Sequence, residues 1–502
     1  MGSSLLPLLT AAEMRRWDRR AIDEAGVPEA VLMESAGRAA AGVLQRLFPE
    51  GRVVAAVGAG NNGGDALVTV RTLSAWGREV AVLPVGGAEL RADLLHGWEV
   101  RSCDAAALTG AAVLVDGILG TGARGAPRRA QAGVIRAMNA TGVPIVALDG
   151  PSGVDLSTGA VPGEAIRARV TIAFGAPKRG LLLFPGRVHA ARVTAVEIGF
   201  PPLAAGSYAA ALTTPAWVRE HLPVVPANAH KGITGAVTIV AGRAGMAGAS
   251  VMAAMGALRA GAGMVRVVGP EENRIVAQAA VPEALFVGRA GDVDGALAAA
   301  DAVLAGPGMG TDDEAHELLR RILRLPAARL VLDADALTLL ADDPGLLEQG
   351  AARRVVLTPH PGEMGRLLGR EAATVVADPL GAAGEAAARF RCTVLLKGAP
   401  SLVAAPGEPI LVNPTGTSGV ATGGMGDTLA GIVAALLAAG ADVRTAAALA
   451  IFLAGRAAEM ARRGRSLLPR DIAATLPLAL AEPDRADGLD LPGVLLDLPE
   501  AE

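Results

Sequence analysis

The chain has 502 residues, a formal net charge of −4 and 51% hydrophobic residues, so it can bury more than one large core. The charge and the absence of a long basic block argue against nucleic acid and anionic membranes as partners. Two distant cysteines, Cys103 and Cys392, exclude a disulfide framework. The start does not read as a signal peptide, and the longest apolar stretch, residues 428–440, is too short to cross a bilayer, so we expect a cytoplasmic protein.

The first half of the chain alternates strands with helices. A capping box at residues 10–13 opens a lead helix, and short β-branched runs then alternate with alanine-rich helical stretches. Because the runs lack polar alternation, they predict parallel strands buried on both faces. These predicted strands are residues 53–57, 79–83, 112–116, 144–149 and 170–174.

The alternation of predicted strands and helices stops at residues 200–228, which contain five prolines, and we place a linker at residues 206–219. The alternation then restarts, with predicted strands at residues 236–242, 265–269, 302–306, 330–335, 355–360 and 393–398. We therefore predict the α/β class, with two tandem three-layer α/β/α domains at residues 1–205 and 220–490. The acidic residues after Pro483 predict a loose tail.

Polar residues follow the strands of the first half, where ligands bind in open parallel sheets. The loop GAGNNGGD, residues 58–65, satisfies GxGxxG, and its glycines allow close approach of a ligand. The next predicted strand ends in Leu83 and Pro84 rather than in an acidic residue, so ordinary NAD binding is not supported. The structural alternative is a tight glycine turn.

Asp116 and Asp149 each end a predicted strand and serve either as helix caps or as ligands. With Asn62 and Ser152 they form a set of hard oxygens, which suits an alkali or alkaline-earth ion rather than zinc. Lys178 is compatible with a phosphate partner and equally with a solvated surface position.

The second half carries five further motifs at predicted strand ends and loops: GPGMG (306–310), DADAL (333–337), TPHPGE (358–363), LLKGAPS (395–401) and ATGGMGD (421–427). His360 suits either a phosphate or ribose contact or a structural cap, and Asp333 and Asp335 suit either Mg²⁺ or a cap. Lys397 and Ser401 lie where a nucleotide could bind. No Walker A loop is present, so the glycine loop before Asp427 is the candidate phosphate site.

Residues 10–205 resemble the YjeF amino-terminal family, the NAD(P)H-hydrate epimerases, through LMESAG (32–37), GAGNNGGD, DGILGTGARG (116–125), DGPSGVD (149–155) and FGAPKRG (174–180). The resemblance implies a Rossmann-like fold, with Asp149 as the catalytic proton carrier. It implies a K⁺ ion held by Asn62, Asp116 and Ser152. The implied substrate contacts are Asn61, Asn62, Gly63, Gly64, Asp65, Gly120, Thr121, Gly122, Ala123, Arg124, Gly125, Ala126 and Asp149. The family often has glycine where this chain has Ala66, which leaves the backbone conformation there open.

Residues 220–485 resemble the ADP/ATP-dependent NAD(P)H-hydrate dehydratases of the ribokinase-like superfamily, through the five motifs in the order above. The resemblance implies that Mg²⁺ acts with ADP or ATP and that Asp427 is the catalytic base. The implied nucleotide contacts are Lys397, Gly398, Ala399, Pro400, Ser401 and Gly426. The implied hydrate contacts are Ala249, Gly308, His360 and Asp427. AGRAG (241–245) stands where the family usually has a GGS-like turn.

The two resemblances together predict a bifunctional enzyme that epimerises the R and S hydrates of NADH and NADPH and dehydrates the S form with ADP or ATP. We expect a homo-oligomer, with alanine-rich helix faces between subunits, and neither nucleic acid nor a membrane as partner. One alternative is a ribokinase-like small-molecule kinase with a regulatory first domain. Another makes the first half a protein-binding module without catalysis.

Overall fold

The computed structural model describes residues 4–203, 206–228, 234–325, 329–347, 354–485 and 488–500. The chain forms two compact units, Met1–Ala210 with Ala486–Glu502, and Ala211–Arg485. The predicted linker, residues 206–219, contains a short strand and the beginning of a helix. The predicted domain end at residue 205 lies outside the described residues.

The first unit is built on a parallel sheet. Its strands are β2 (Val53–Val57), β3 (Val80–Pro84), β4 (Arg101–Ser102), β5 (Val113–Gly117), β6 (Ile145–Leu148), β7 (Val170–Phe174) and β8 (Arg192–Val196). A short strand, β1 (Leu6–Pro7), precedes them and is not part of this sheet. Its helices are α1 (Ala11–Arg19, continued by a π-helical turn Arg20–Glu24), α2 (Glu29–Leu47), α3 (Asn61–Ala75), α4 (Ala92–Leu95), α5 (Arg129–Ala140) and α6 (Gly186–Ala190). The parallel strands follow the order β8-β7-β6-β5-β2-β3-β4.

Helices cover both faces of this sheet, which explains the uniformly apolar strands. Val53 belongs to one buried cluster, together with Leu44 of α2 and Leu67 of α3. Its neighbour Val54 belongs to a second cluster with Ile135 of α5. Successive residues of a strand point to opposite faces, so β2 needs apolar residues at every position. The first unit is therefore a three-layer α/β/α domain.

The second unit begins within β9 and repeats this plan. Its strands are β9 (Ala210–Leu212), β10 (Ala236–Val240), β11 (Met264–Gly269), β12 (Leu285–Gly288), β13 (Ala302–Ala305), β14 (Arg329–Leu332), β15 (Val355–Leu357), β16 (Thr393–Leu396), β17 (Leu402–Ala404) and β18 (Ile410–Val412). Its helices are α7 (Pro215–His221), α8 (Ala247–Arg259), α9 (Arg274–Ala280), α10 (Val293–Ala298), α11 (Asp313–Leu323), α12 (Asp335–Asp342), α13 (Pro361–Leu368), α14 (Ala372–Ala377), α15 (Pro379–Phe390), α16 (Met425–Ala438), α17 (Val443–Ala461) and α18 (Pro469–Ala481).

The strands of the second unit follow the order β9-β18-β17-β16-β15-β14-β13-β10-β11-β12. They are parallel from β16 to β12, and β17 and β18 are antiparallel additions. The apolar stretch at residues 428–440 forms most of α16, which packs against α8, β13 and β14. No helix in the described part of the chain is long and apolar enough to cross a membrane.

The end of the chain is not the loose tail that we predicted. It forms β19 (Val494–Leu498), which pairs antiparallel with β8 at the edge of the first sheet. Leu496 and Leu498 are buried, and the Asp497 carboxylate accepts a hydrogen bond from Arg192 Nε at 2.8 Å. The acidic composition of the tail led us to predict no strand there. The strand contains a single charged residue, Asp497, and that residue is paired.

Candidate active sites

The first candidate site lies where the strand order of the first unit reverses. β2 and β5 are neighbours, and the loops that follow them lead in opposite directions across the sheet. Such a switch point forms a crevice at the carboxyl ends of the strands. A cavity of about 570 Å³ lies there, and the predicted contacts that line it are Asn61, Asn62, Asp65, Gly120, Thr121, Gly122, Ala123 and Asp149.

The other predicted contacts of the first unit do not line this cavity: Gly63, Gly64, Arg124, Gly125 and Ala126. Two of them have a structural reason to be glycine. A Cβ on Gly63 would lie 1.9 Å from the Gly58 carbonyl oxygen, and one on Gly64 would lie 2.6 Å from Met33 Sδ. The loop thus turns tightly into α3, and its residues serve packing as well as ligand approach.

Ala66 does not disturb this turn. It lies inside α3 and is not among the residues with positive φ. Its side chain is fully buried, and a Cβ on Gly117 would lie only 2.5 Å from the Ala66 methyl group. The methyl group fills space that Gly117 leaves free, so the departure from the family pattern is accommodated by packing.

Asp149 and Lys178 form a buried ion pair at the end of β6. Lys178 is fully buried and donates to Asp149 Oδ1, and also to the Phe174 carbonyl oxygen at 2.9 Å. The Phe174 N–H points to the same carboxylate oxygen at 3.3 Å. Asp149 has a φ of 63°, an uncommon conformation for a residue other than glycine. Lys178 is therefore neither a solvated lysine nor a free phosphate ligand.

The predicted cation ligands of the first unit lie together behind the loop that follows β5. Ser152 donates to the buried Asp116 carboxylate, through its hydroxyl at 2.6 Å and its N–H at 2.8 Å. Asn62 Nδ2 donates to the Leu119 carbonyl oxygen at 2.8 Å, whereas its Oδ1 is buried and has no hydrogen-bond partner. Burial raises the pKa of Asp116 to about 6, although the Ser152 donors oppose this. An unpaired buried carbonyl beside a buried carboxylate fits a cation ligand set.

The cavity also contains acidic residues that the sequence did not single out. Asp18 of α1 and Glu29 of α2 line it, and Glu29 accepts a hydrogen bond from Asn61 Nδ2 at 2.8 Å. Burial, and then the charge of Asp149, raise the pKa of Asp65 well above its usual range. Burial also raises the pKa of Asp18 to about 6, with Lys178 opposing it.

In the second unit, the loop ATGGMGD starts α16 on a glycine. Gly424 is the N-cap with a φ of 88°, and a Cβ there would lie 2.3 Å from Met252 Sδ, so both conformation and space require glycine. Asp427 lies in the first turn of the helix. Backbone N–H groups in a first helical turn have no partner within the helix and attract anions.

Asp427 belongs to a cluster of charged residues drawn from three further elements. Lys397 Nζ donates to Asp333 Oδ1 at 2.7 Å and lies 3.8 Å from Glu363 Oε2. Burial opposes the charge on Lys397, but Asp333 and Glu363 outweigh it and raise its pKa. Burial, and then Asp333, raise the pKa of Asp427 to about 7, while Lys397 opposes this. A Cβ on Gly426 would lie 3.3 Å from Lys397 Nζ, so the ammonium adjoins the helix start.

His360 is a cap whose ring remains exposed on one side. Its Nδ1 accepts from the N–H groups of Gly362 and Glu363, at 3.0 and 3.3 Å, while the Glu363 carboxylate accepts from the His360 N–H. An accepting Nδ1 leaves the hydrogen on Nε2 in the neutral ring. Nε2 lies 3.5 Å from Glu363 Oε1, and the side chain of His360 is 56% exposed, so a ligand can still reach the ring.

The remaining predicted contacts of the second unit lie in loops and at a helix start. A Cβ on Gly308 would lie 3.4 Å from the Ala249 methyl group, so these two are neighbours. In the loop Gly398, Ala399, Pro400 and Ser401, the Gly398 N–H donates to Ser401 Oγ at 3.2 Å. The replacement turn AGRAG keeps two positive-φ glycines, Gly242 and Gly245.

A larger cavity, of about 760 Å³, lies at the ends of β11 and β12. It is lined by arginines and carboxylates, and none of the predicted site residues is among them.

Asp335, one of the two candidate Mg²⁺ residues, accepts from the Gly310 N–H at 2.9 Å, and the other, Asp333, is paired with Lys397. No group of three or more acidic, histidine or cysteine side chains in the described part of the chain could hold a metal ion.

Comparison with known proteins identifies the family. Residues 237–478 match the model of NAD(P)H-hydrate dehydratase, and residues 29–180 match that of the YjeF-related protein N-terminus. The bifunctional NAD(P)H-hydrate repair enzyme Nnr of Moorella thermoacetica is 36% identical over 512 residues, which cover 94% of this chain and 96% of that protein. This chain belongs to the bifunctional NAD(P)H-hydrate repair enzymes.

Other repair enzymes of the family show the same extent of similarity. The Nnr of Salinibacter ruber is 38% identical, over 93% of this chain and 94% of that protein. The Nnr of Escherichia coli K12 is 36% identical, over 93% and 92%. Among solved structures, the ADP/ATP-dependent NAD(P)H-hydrate dehydratase of Bacillus subtilis, co-crystallized with ATP/Mg²⁺, is 29% identical, with a TM-score of 0.47 over 53% of this chain and 96% of that one.

The chain is thus a two-domain repair enzyme of the α/β class, with an epimerase-type first half and a dehydratase-type second half. The prediction of the family, the fold class and the bifunctional activity is confirmed. The kinase alternative is not favoured, because full-length relatives with both halves are repair enzymes. The binding-module alternative for the first half is not favoured for the same reason.

Two aspects of the repair enzyme's sites were missed from the sequence. The pairing of Lys178 with Asp149 joins residues 29 positions apart, and no local pattern announces it. Asp18 had a signal that was available: it lies four residues after Met14 and four before Ile22, on one face of the lead helix. A charged residue on that otherwise apolar face is the signal that could have indicated this position.

Proposed function

We propose that Asp149 of the first unit carries the proton when the R and S hydrates of NADH and NADPH are interconverted at C6 of the hydrated nicotinamide ring. The single observation that supports this is the Asp149–Lys178 pair, buried at the wall of the cavity. A buried cation holds the carboxylate in one position and compensates its charge. A carboxylate fixed beside the substrate is suited to general acid–base catalysis.

We also propose K⁺ as the cation of this site, held by Asn62, Asp116 and Ser152. The unpaired Asn62 Oδ1 is the observation that favours it, since a buried carbonyl oxygen is normally bonded. K⁺ would supply a fixed positive charge beside the glycine loop. The three residues hold that loop, because Ser152 Oγ accepts from the Leu119 N–H at 2.9 Å and Asn62 donates to the Leu119 carbonyl.

In the second unit, Asp427 is the general base of the dehydratase. It takes the proton of the C6 hydroxyl, whose oxygen forms a bond to the terminal phosphorus of the nucleotide. The bond from that phosphorus to the bridging oxygen breaks and releases AMP from ADP, or ADP from ATP. Phosphate then leaves C6 of the ester more readily than hydroxide would, and loss of a proton from C5 regenerates the dihydropyridine. A pKa of about 7 places Asp427 near the value that general-base catalysis at neutral pH requires.

The helix start and Lys397 stabilise the phosphoryl group in transit. N–H groups of Gly426 and its neighbours point from the first turn of α16, where the helix carries about half a positive charge. Lys397 adds a cation whose pKa is raised and which adjoins Gly426. These groups stabilise the charge on the phosphoryl oxygens, while Asp427 removes the proton of the C6 hydroxyl that receives the phosphoryl group.

The nucleotide is ADP or ATP, bound by Gly426 and the loop of residues 397–401, and Mg²⁺ accompanies it. Mg²⁺ keeps several waters and is commonly held by substrate phosphates with one or two carboxylates. Asp333 and Asp335 fit that limited role, since each uses an oxygen in a bond within the chain. The substrate lies by Ala249, Gly308 and the exposed ring of His360.

An experiment with both hydrates tests the whole proposal. The enzyme is incubated with an R/S mixture of NADPH hydrate, Mg²⁺, K⁺ and either nucleotide, and the absorbance of reduced cofactor is followed. We expect full conversion of both epimers, faster than they equilibrate without enzyme. The Asp149→Asn variant should convert only the S hydrate of the mixture. The Asp427→Asn variant should produce no NADPH.

Each failure identifies a different part of the proposal. Lack of NADPH recovery with either nucleotide would contradict the dehydratase assignment. Conversion by the unaltered enzyme that stalls at the S fraction would contradict the epimerase assignment. A stable phosphorylated product would support the kinase instead. A cytoplasmic location and a homo-oligomer remain proposals, the second to be tested by light scattering of the purified chain.

A further inference from the structure

Asp18 occupies a position where the helical pattern calls for an apolar residue. Met14, Asp18 and Ile22 follow at intervals of four residues and all line the cavity of the first unit. Residues four apart lie on one face of a helix, so a carboxyl group stands in the middle of an otherwise apolar stripe. Burying a carboxyl group there costs stability. Buried carboxyl groups with a perturbed pKa are often found at functional sites, which indicates a functional role for Asp18.

The helix that carries Asp18 is held firmly at the cavity. The Glu13 carboxylate pairs with Arg179 at 3.1 Å, and the Trp17 indole donates to the Pro201 carbonyl at 2.8 Å. Arg15 Nη1 points to the carbonyl of Thr121, in the loop that carries predicted substrate contacts, at 3.3 Å. Contacts before and beside Asp18 thus fix its position, as a catalytic side chain requires.

The Asp18 carboxyl group has no hydrogen-bond donor among the described residues, whereas the Asp149 carboxylate is bonded by Lys178 and Phe174. The charged groups that influence Asp18 come from each surrounding element: Arg15 from its own helix, Glu29 from α2, Asp65 from α3, Asp149 from the end of β6, and Lys178. Carboxyl groups outnumber the cations around the cavity, which suits a reaction that develops positive charge on the substrate.

We propose that Asp18 is a second catalytic residue of the epimerase, which exchanges a proton with the C6 hydroxyl from a different wall of the cavity than Asp149. This inference rests on the proposed epimerase function and deepens it. One carboxyl group reaches the substrate from helix α1 and the other from a strand end. Epimerisation needs both faces of C6 to be served, and the proposal assigns one face to each of these two cavity-lining carboxyl groups.

The step balances as follows. In one direction, the Asp18 carboxyl group gives its proton to the C6 hydroxyl as the C6–O bond breaks, so that water leaves and the N1 lone pair forms an iminium ion. Water then adds to the other face of C6, and its proton passes to the Asp149 carboxylate. Asp149 then releases its proton to solvent and Asp18 takes one from solvent, which restores the starting state, and the reverse direction uses the two groups in exchanged roles.

The test compares Asp18→Asn with Asp23→Asn, a matched control whose carboxyl group is exposed on the π-helical turn that follows α1. Interconversion of purified R and S NADPH hydrate is followed by chromatography in the full chain. We expect Asp18→Asn to lower kcat by about 10²- to 10⁴-fold with little change in KM. Asp23→Asn should retain the rate of the unaltered enzyme. Dehydration of the S hydrate should stay unchanged in both.

The pH profile separates a catalytic role from a structural one. Because Asp18 must be protonated to act as the acid, and its pKa is about 6, kcat in that direction should fall as pH rises through about 6. Asp18→Glu keeps the carboxyl group and should retain this limb at a reduced rate. It also serves as the variant to measure if thermal unfolding shows that Asp18→Asn does not fold.

Three results would overturn the inference. Asp18→Asn at more than half of the normal rate would do so, as would a change confined to KM, or a profile of Asp18→Glu without the limb near pH 6. These failures differ from failure of the proposed function. If the proposed epimerase function fails, the unaltered enzyme will not accelerate interconversion of the hydrates, and Asp149→Asn will have no activity to abolish.

Discussion

The fully buried ammonium of Lys178 donates to the carboxylate of Asp149, a residue held at positive φ in the wall of the first cavity. Removing one partner of a buried ion pair leaves an uncompensated charge and costs about 3–5 kcal/mol. We expect Lys178→Met to lower the unfolding free energy of the first unit by this amount, in denaturant titrations. Adding Asp149→Asn to it should recover a large part of the loss.

The exposed ion pair between Arg136 and Glu164 serves as the control for this cycle. Both of its side chains are exposed, by 58% and 41%, so Arg136→Met should change the unfolding free energy by less than about 1 kcal/mol. Equal losses for Lys178→Met and Arg136→Met would contradict the importance of the buried pair.

Two glycines of the loop GAGNNGGD should respond differently to substitution. A Cβ on Gly63 would lie 1.9 Å from a backbone oxygen, whereas one on Gly60 would meet nothing within 4 Å. We expect Gly63→Ala to lower the unfolding free energy by about 1–3 kcal/mol or more, and Gly60→Ala to change it by less than about 0.5 kcal/mol. Thermal unfolding of the two variants measures this, and equal effects would contradict the close approach of Gly63 to Gly58.

Dehydratase activity should depend on the ionisation of Asp427. A general base must be deprotonated, and the pKa of about 7, raised by burial and then by Asp333, predicts that kcat/KM falls as pH decreases below about 7. Asp333→Asn removes a negative neighbour, so the midpoint of this fall should move to lower pH. The exposed Asp313→Asn on α11 should leave it in place. A midpoint of Asp333→Asn that stays or rises would contradict the coupling.

The unpaired carbonyl of Asn62 predicts a specific dependence on K⁺. Asn62→Ala should raise the K⁺ concentration that gives half-maximal epimerase activity, and should abolish the rise in thermal stability that K⁺ gives relative to choline. The neighbouring Asn61, whose amide contacts Glu29, is the matched control. Asn61→Ala should change KM for the hydrate without changing the K⁺ response. Equal K⁺ responses in both variants would argue against the proposed ligand.

The sequence predicted most of the parallel strands because their burial on both faces leaves a strong local pattern. Residues 53–57 and 170–174 were predicted with the bounds that the structure has. The edge strand β12 and the antiparallel strands β17 and β18 were not predicted, since strands of three or four residues give only weak apolar runs. Polar residues at strand ends were predicted as site residues because ligands bind at the carboxyl ends of strands in open parallel sheets.

What the sequence could not predict is the pairing of side chains between distant segments. Lys178 was equally compatible with a surface position, and only folding brings it to Asp149. His360 was left between a cap and a ligand contact, and the structure shows a cap whose Nε2 adjoins Glu363 Oε1 while the side chain stays exposed. The neighbourhood of Asp427, Asp333 and Lys397 likewise depends on the order of strands in the sheet.

The return of the chain end as β19 means that the second unit is inserted into the first. The ribosome therefore makes the whole dehydratase-type domain before it releases the strand that covers the edge of the epimerase-type sheet. Until then β8 presents unpaired backbone groups, a template for wrong pairing between nascent chains. Cutting the gene at the boundary near residue 210 would produce an epimerase-type fragment that lacks its last strand, so a separable first domain requires residues 488–500 to be joined back to it.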